Sequence, residues 1–129
     1  MRRDELARAH AAFPELAGLS AQLCAGWPAQ RFRVGEVSAE IITGDARQTL
    51  PGWQGRADAW FLDGFSPAKN PELWGEDLMA QIARHTAPLG TFATYTAAGH
   101  VRRALASAGF AVTRAPGFAG KRHMSRGSL

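Results

Sequence analysis

Acidic residues stop at Asp77. From Leu78 to the end of this 129-residue chain there is no Asp or Glu, while Arg84, Arg102, Arg103, Arg114, Lys121, Arg122 and Arg126 stand unopposed. Such a field is suited to phosphate backbones, and equally to a solvated surface that aids solubility. Cysteine is nearly absent as well: Cys24 alone excludes an intrachain disulfide and reads as a small core residue. His10, His85, His100 and His123 are scattered, so no zinc or iron ligand spacing exists and no metal is expected. No run approaches the roughly 18 uninterrupted apolar residues of a membrane span. "MRRDELARAH" turns polar where a signal peptide needs an apolar block, so no membrane partner and a cytoplasmic location are expected. Although the chain holds 14 glycines, none forms G-x-G-x-x-G between a strand and a helix. G-x-S-x-G and G-x-x-x-x-G-K are missing too, which argues against an esterase elbow and a phosphate-binding loop.

What is present looks globular. Hydrophobic residues make up 46% and charged ones 20%, which excludes a disordered or fibrous class. The length suits one domain with one apolar core, here residues 1–129. Residues 4–12 and 14–26 read as helices, a helical lead-in over 4–26: Asp4 is placed to cap the first, Pro14 suits the first turn of the second, and Leu16, Leu19, Leu23 and Cys24 share a face. Alternation through Val37, Ala39 and Ile41 predicts a strand at 37–42. "ADAWFLD" predicts another, its apolar run Ala59–Leu62 suggesting burial on both faces as in parallel sheets. A helix follows from Pro71 to about Thr86, then a strand "TFATYT", a helix "AAGHVRRALASAG", a strand "FAVTRA", and in "GFAGKRHM" a candidate last edge strand. This alternation predicts an α/β layer with right-handed crossovers over 37–129.

Two of these strands end in acids, at "GDA" (44–46) and "DGFSP" (63–67). In open parallel sheets ligands collect beyond the carboxyl ends of strands. Asp63 with Gly64, Phe65 and Pro67 supplies an acceptor, close backbone approach, an aromatic wall and a stiff turn. An Asp-Gly pair is also an ordinary turn signal, and Asp45 suits the cap of a short following helix better than a ligand contact. Trp60, Phe61, Leu62 and Phe92 read as core, and Trp74 as helix packing.

"DAWFLDGFSPAKNPELW", with "TFATYTAAGHVRRALASAGF" and "PGFAGKRHM", resembles the methyltransferase domain of the tRNA wobble-uridine modification enzyme MnmC and its stand-alone relatives, over most of the chain. The resemblance implies a Rossmann-like class I fold and S-adenosylmethionine as methyl donor. It implies methylation of the amine of 5-aminomethyl-2-thiouridine in a tRNA anticodon. FAD belongs only to a separate oxidoreductase domain of bifunctional members. Carried over by position, Gly44, Asp45 and Ala46 would border the donor adenine; Asp63, Gly64 and Phe65 would face the sulfonium and the acceptor amine, with Asp63 catalytic. Lys69 and Asn70 of the same loop would touch RNA, and Arg102, Arg103, Lys121 and Arg122 would contact phosphates by their charge.

Against the family pattern, the first two strands and the glycine-rich loop are missing, so the fold is expected to be N-terminally incomplete and donor binding impaired. A missing N-terminal segment or a separate FAD-dependent oxidoreductase are the implied protein partners. The alternative left open is a non-catalytic basic fragment that binds RNA or a partner.

Overall fold

A computed structural model describes residues 2–129 and divides the chain into two compact units, Met1–Thr43 and Gly44–Leu129. In the first unit, α1 (Arg3–His10), a 3-10 turn (Pro14–Leu16) and α2 (Ala17–Gly26) precede a hairpin of β1 (Arg31–Val34) and β2 (Val37–Glu40). α1 starts one residue before Asp4: the Arg2 amide donates to the Glu5 carboxylate at 2.7 Å, so Glu5 serves the first turn where Asp4 was expected to cap it. The Arg3 guanidinium donates to the Trp27 carbonyl at 2.8 Å, joining the start of α1 to the end of α2, and Leu6 of α1 is buried. Leu16 and Leu19, expected to share an apolar face, are about half exposed at 46% and 50%. Cys24 is half-buried and free.

The strand expected at 37–42 is shorter, and its partner is β1 in an antiparallel hairpin, not a neighbour in a parallel sheet. The turn at Gly35 (φ 58°) is the reason: glycine takes the left-handed conformation that a two-residue hairpin loop requires. "RFRV" then pairs back with "VSAE", supported by an Arg31–Glu40 ion pair at 2.8 Å.

The second unit is the α/β layer. After α3 (Ala46–Thr49) and a 3-10 turn (Leu50–Gly52) come β3 (Ala57–Phe61), a 3-10 turn (Pro71–Trp74), α4 (Glu76–Arg84), β4 (Thr86–Thr94), α5 (Gly99–Ser107), β5 (Ala111–Pro116) and β6 (His123–Ser128). The sheet order is β3-β4-β6-β5. β3 and β4 are parallel, and β6 is antiparallel to both β4 and β5, so β5 runs the same way as β4. The last strand is thus not at the edge: it folds back from β5 and slots between β5 and β4, satisfying both backbones. β3 and β5, at the two ends of that order, hold the edge positions.

α4 and α5 cover one face of this sheet. Trp74, Leu78, Met79, Ile82, Phe92, Val101, Leu105 and Phe110 are buried there, with Trp60 and Leu62 packed against them. Phe92 meets Phe110 edge to face, ring centroids 5.1 Å apart. Thr86, wholly buried, is satisfied twice: Trp60 Nε1 donates to its hydroxyl at 2.9 Å, and that hydroxyl donates to the Ile82 carbonyl at 2.7 Å. The expectation of burial on both faces fails at β3. Phe61 is 85% exposed and Ala59 is exposed, because their side chains alternate onto the face that α4 and α5 leave uncovered. Phe61 is therefore not core, whereas Trp60, Leu62 and Phe92 are packed as expected.

Gly127 lets β6 into this space. A Cβ there would strike the Ala111 carbonyl oxygen and lie 2.6 Å from Cε1 of Phe92. Gly127→Ala is expected to destabilise the α/β unit by about 1–3 kcal/mol, because a strand and a core ring must both give way. Chemical denaturation followed by fluorescence measures it; an unchanged midpoint would contradict this packing.

Candidate functional site

The carboxyl end of β3 is held by three hydrogen bonds. The Leu62 amide donates to the Ala93 carbonyl at 2.9 Å, carrying the parallel pairing one residue beyond the strand. The Tyr95 hydroxyl donates to the Gly64 carbonyl at 2.6 Å, and Trp74 Nε1 donates to the Phe65 carbonyl at 2.8 Å. Trp74 is 3% exposed, so the turn at 63–65 is fastened to the core on one side and to the end of β4 on the other. Gly64 sits close beneath Trp74: a Cβ would come within 3.2 Å of its ring.

This turn borders an open cleft of about 570 Å³ lined by Phe61, Leu62, Asp63, Ala93, Thr94, Tyr95, Phe118, Lys121 and Met124. Its walls are mostly apolar and it carries one acid and one base. Asp63 is exposed, and among the described residues its carboxylate has no hydrogen bond or ion pair. The Lys121 ammonium lies 4.8 Å from the centroid of the Tyr95 ring, within reach of a cation–π attraction. A mainly hydrophobic hollow with a few convergent polar groups has the general form of a ligand site.

The other acid-terminated turn is arranged differently. Asp45 is the N-cap of α3: its carboxylate accepts from the Arg47 amide at 2.9 Å and from the Arg47 guanidinium. Those bonds, side chain first, hold its carboxyl below the usual carboxylate range and raise Arg47 in turn. Gly44 precedes the cap with φ 151°, and Ala46, half-buried, packs against the core. Arg47 lines a second hollow of about 610 Å³ with Glu72, Glu76, Asp77 and Gln81, distinct from the cleft at Asp63.

The remaining candidate residues are spread. The amides of Lys69 and Asn70 donate to the Ser66 carbonyl at 2.8 and 3.0 Å, curling the loop after Pro67 into a helical turn; Lys69 is exposed and Asn70 half-buried. Phe65 is 76% exposed. Arg103 and Arg122 are exposed, but Arg102 is half-buried on α5 with its Nε enclosed and without a partner. Of the proposed RNA contacts only Lys121 shares the cleft with Asp63. Tyr95, Phe118 and Met124 were not singled out from sequence, because the fold brings them to the cleft from just after β4, from the β5–β6 connection and from β6. Among the described residues no group of three or more His, Cys, Asp or Glu side chains is placed to hold a metal ion, and no helix is long and apolar enough to cross a membrane.

The parallel strand pair, its crossover helix and a ligand-sized cleft at the strand ends belong to the Rossmann-like methyltransferase class. A profile described as S-adenosyl-L-methionine-dependent methyltransferase matches residues 14–129, and the chain belongs to that family. Within it, the similarity is to MnmC. The chain is 50% identical over 132 residues to the tRNA 5-methylaminomethyl-2-thiouridine biosynthesis bifunctional protein MnmC of Aromatoleum aromaticum, covering 97% of this chain and 21% of that protein. To the protein of the same name from Chromobacterium violaceum it is 47% identical over 131 residues, 96% of this chain and 20% of that one. The fold also matches the crystal structure of MNMC2 from Aquifex aeolicus with a TM-score of 0.74 and 31% identity, over 85% of this chain and 36% of that one. The chain thus spans about a fifth of the length of these curated relatives.

The Asp45 cap is sensitive to acid. Because the folded pKa of Asp45 lies below its unfolded value, the cap stabilises fully above the ordinary carboxylate value of about 4 and is lost as pH falls through the lowered folded value. In an NMR acid titration the Arg47 amide should hold its shift to below about pH 4 and then move. In Asp45→Asn it should stay flat throughout. A wild-type amide that does not move down to full protonation would contradict the cap.

Proposed function

We propose that this chain contributes the acceptor side of a methyl-transfer site, acting on the amine of a modified wobble uridine in tRNA. The observation that carries this reading is the unpaired Asp63 carboxylate at the end of a parallel strand, facing an apolar-walled cleft that also holds Lys121. The names of the relatives support the choice of substrate.

When bound, S-adenosylmethionine supplies an activated methyl group on a sulfonium. The protein's task is then positioning, since a neutral amine displaces that methyl in line and no covalent enzyme nucleophile is required. Positive charge develops on the amine as its bond to carbon forms. Asp63 accepts a hydrogen bond from that amine and stabilises the charge, and its carboxylate is the nearby acceptor for the proton that leaves afterwards. The low-polarity walls, Phe61, Leu62, Phe118 and Met124, weaken competition from water. Gly64 and Phe65 shape the turn that meets the donor's sulfonium end. At the adenine end the fit is poorer, because the Asp45 carboxylate is already engaged by Arg47; Gly44 and Ala46 are left to contact the ring through backbone and packing. Lys69, Asn70, Arg103 and Arg122 form the outer RNA surface of this proposal, with Arg102 the weakest member because its Nε is enclosed.

The chain alone holds the donor weakly. It has no G-x-G-x-x-G loop to wrap the donor, and its acid at 45 is spent on a cap. Isothermal titration with S-adenosylmethionine is expected to give an affinity weaker than micromolar; micromolar or tighter binding would refute this. At saturating donor, Asp63→Asn is expected to lower kcat on tRNA about 100-fold while KM changes little. Retention of full turnover removes Asp63 from the chemistry. A salt titration separates the non-catalytic RNA-binding alternative, which the acid-free stretch after Asp77 favours: tRNA binding that falls steeply with salt but is accompanied by no methyl transfer would select it.

A further inference from the structure

An acid and a base in one small cleft normally neutralise each other, yet here they do not. Asp63 and Lys121 line the same hollow, and neither is part of an ion pair among the described residues. Tyr95, the chain's single tyrosine, accounts for both halves of this arrangement. Its ring seats the Lys121 ammonium at 4.8 Å, and its hydroxyl bonds the Gly64 carbonyl at 2.6 Å, fixing the turn that begins with Asp63. The side chain comes from the end of β4, a rigid element whose neighbours Thr94 and Thr96 are buried at 3% and 7% exposure. The Lys121 segment is tethered in turn, its amide donating to the Phe118 carbonyl at 3.1 Å.

We propose that Tyr95 is a positioning residue that divides the cleft into two recognition points: Asp63 for the amine of the acceptor nucleoside, and Lys121 for the phosphate of the same nucleotide. This rests on the amine-methylation reading above and extends it, since the cleft would then select a nucleotide carrying both charges over one carrying either alone. The ring keeps the base off the acid, so that each remains available. Without it, the flexible lysine stem folds toward the nearest carboxylate and the two charges cancel.

NMR titration of the full chain tests this, with 5-aminomethyluridine 5′-monophosphate as probe. In the wild type the probe should shift the amides of Asp63–Phe65 and of Phe118–Arg122 together. Uridine 5′-monophosphate should shift only the second group, and 5-aminomethyluridine without phosphate only the first. Tyr95→Leu is expected to weaken the probe at least about tenfold, the scale of a lost charge-assisted hydrogen bond. Lys121→Gln should abolish the response to uridine 5′-monophosphate and keep the response to the nucleoside. Tyr95→Phe keeps the lysine seat, so uridine 5′-monophosphate should bind it as in the wild type. The Phe65 amide, which shares a peptide unit with the Gly64 carbonyl, should shift in Tyr95→Phe even without ligand. Equal probe affinity in the wild type, Tyr95→Leu and Tyr95→Phe would overturn the proposal while leaving amine recognition standing. No response to the probe, with S-adenosylhomocysteine moving Asp63–Phe65 instead, would overturn the acceptor reading itself. An unmoved Phe65 amide in ligand-free Tyr95→Phe would overturn the clamp whatever binds.

Discussion

The burial of Phe92 against α4 and α5 is the constraint from which the rest of the α/β unit follows. With 2% exposure and an edge-to-face contact to Phe110, it fixes β4 to one layer of helices. β3, β4 and β5 must then run in the same direction, because α4 joins β3 to β4 and α5 joins β4 to β5 across that same face. Strand ends, and the turns that follow them, accordingly gather on one side. That is why the turn after β3 and the first residues after β4 meet closely enough for the Tyr95 hydroxyl to reach the Gly64 carbonyl.

The two acids that the sequence placed at strand ends diverge for a local reason, and only Asp63 follows a strand in the structure. Asp45 is followed two residues later by Arg47, whose amide and guanidinium both reach back, so its charge is consumed by the start of α3. Asp63 is followed by Gly64, Phe65, Ser66 and Pro67, none of which carries a cation. The nearest base in its cleft, Lys121, is seated on an aromatic ring instead. Two carboxylates in similar sequence settings therefore differ in availability, and only one faces a cleft with its charge intact.

Much of the layer was readable from pattern. The strand at "ADAWF", the helices around Leu78–Ile82 and Val101–Leu105, and the core role of Trp74 and Phe92 all follow from apolar spacing. So did the cap at Asp45, because capping is a matter of three consecutive residues. Three features escaped for non-local reasons. The hairpin partner "RFRV" is short and half charged, and its role depends on pairing with "VSAE". The exposure of Phe61 depends on which sheet face the helices choose. The interior position of β6 depends on Gly127 admitting a backbone beside Phe92, a fit invisible without the neighbour.

By itself, then, the order of residues determined an α/β layer through its local periodicity, and the run from Asp58 to Trp74, a strand and an acid-bearing turn, carried the resemblance to a methyltransferase family. Where the charge is free was decided only in three dimensions. Whether a carboxylate is neutralised depends on which cation lies within a few ångströms, and for Asp63 that was settled by Tyr95 and Lys121, residues 32 and 58 positions further along the chain, arriving from other strands' ends.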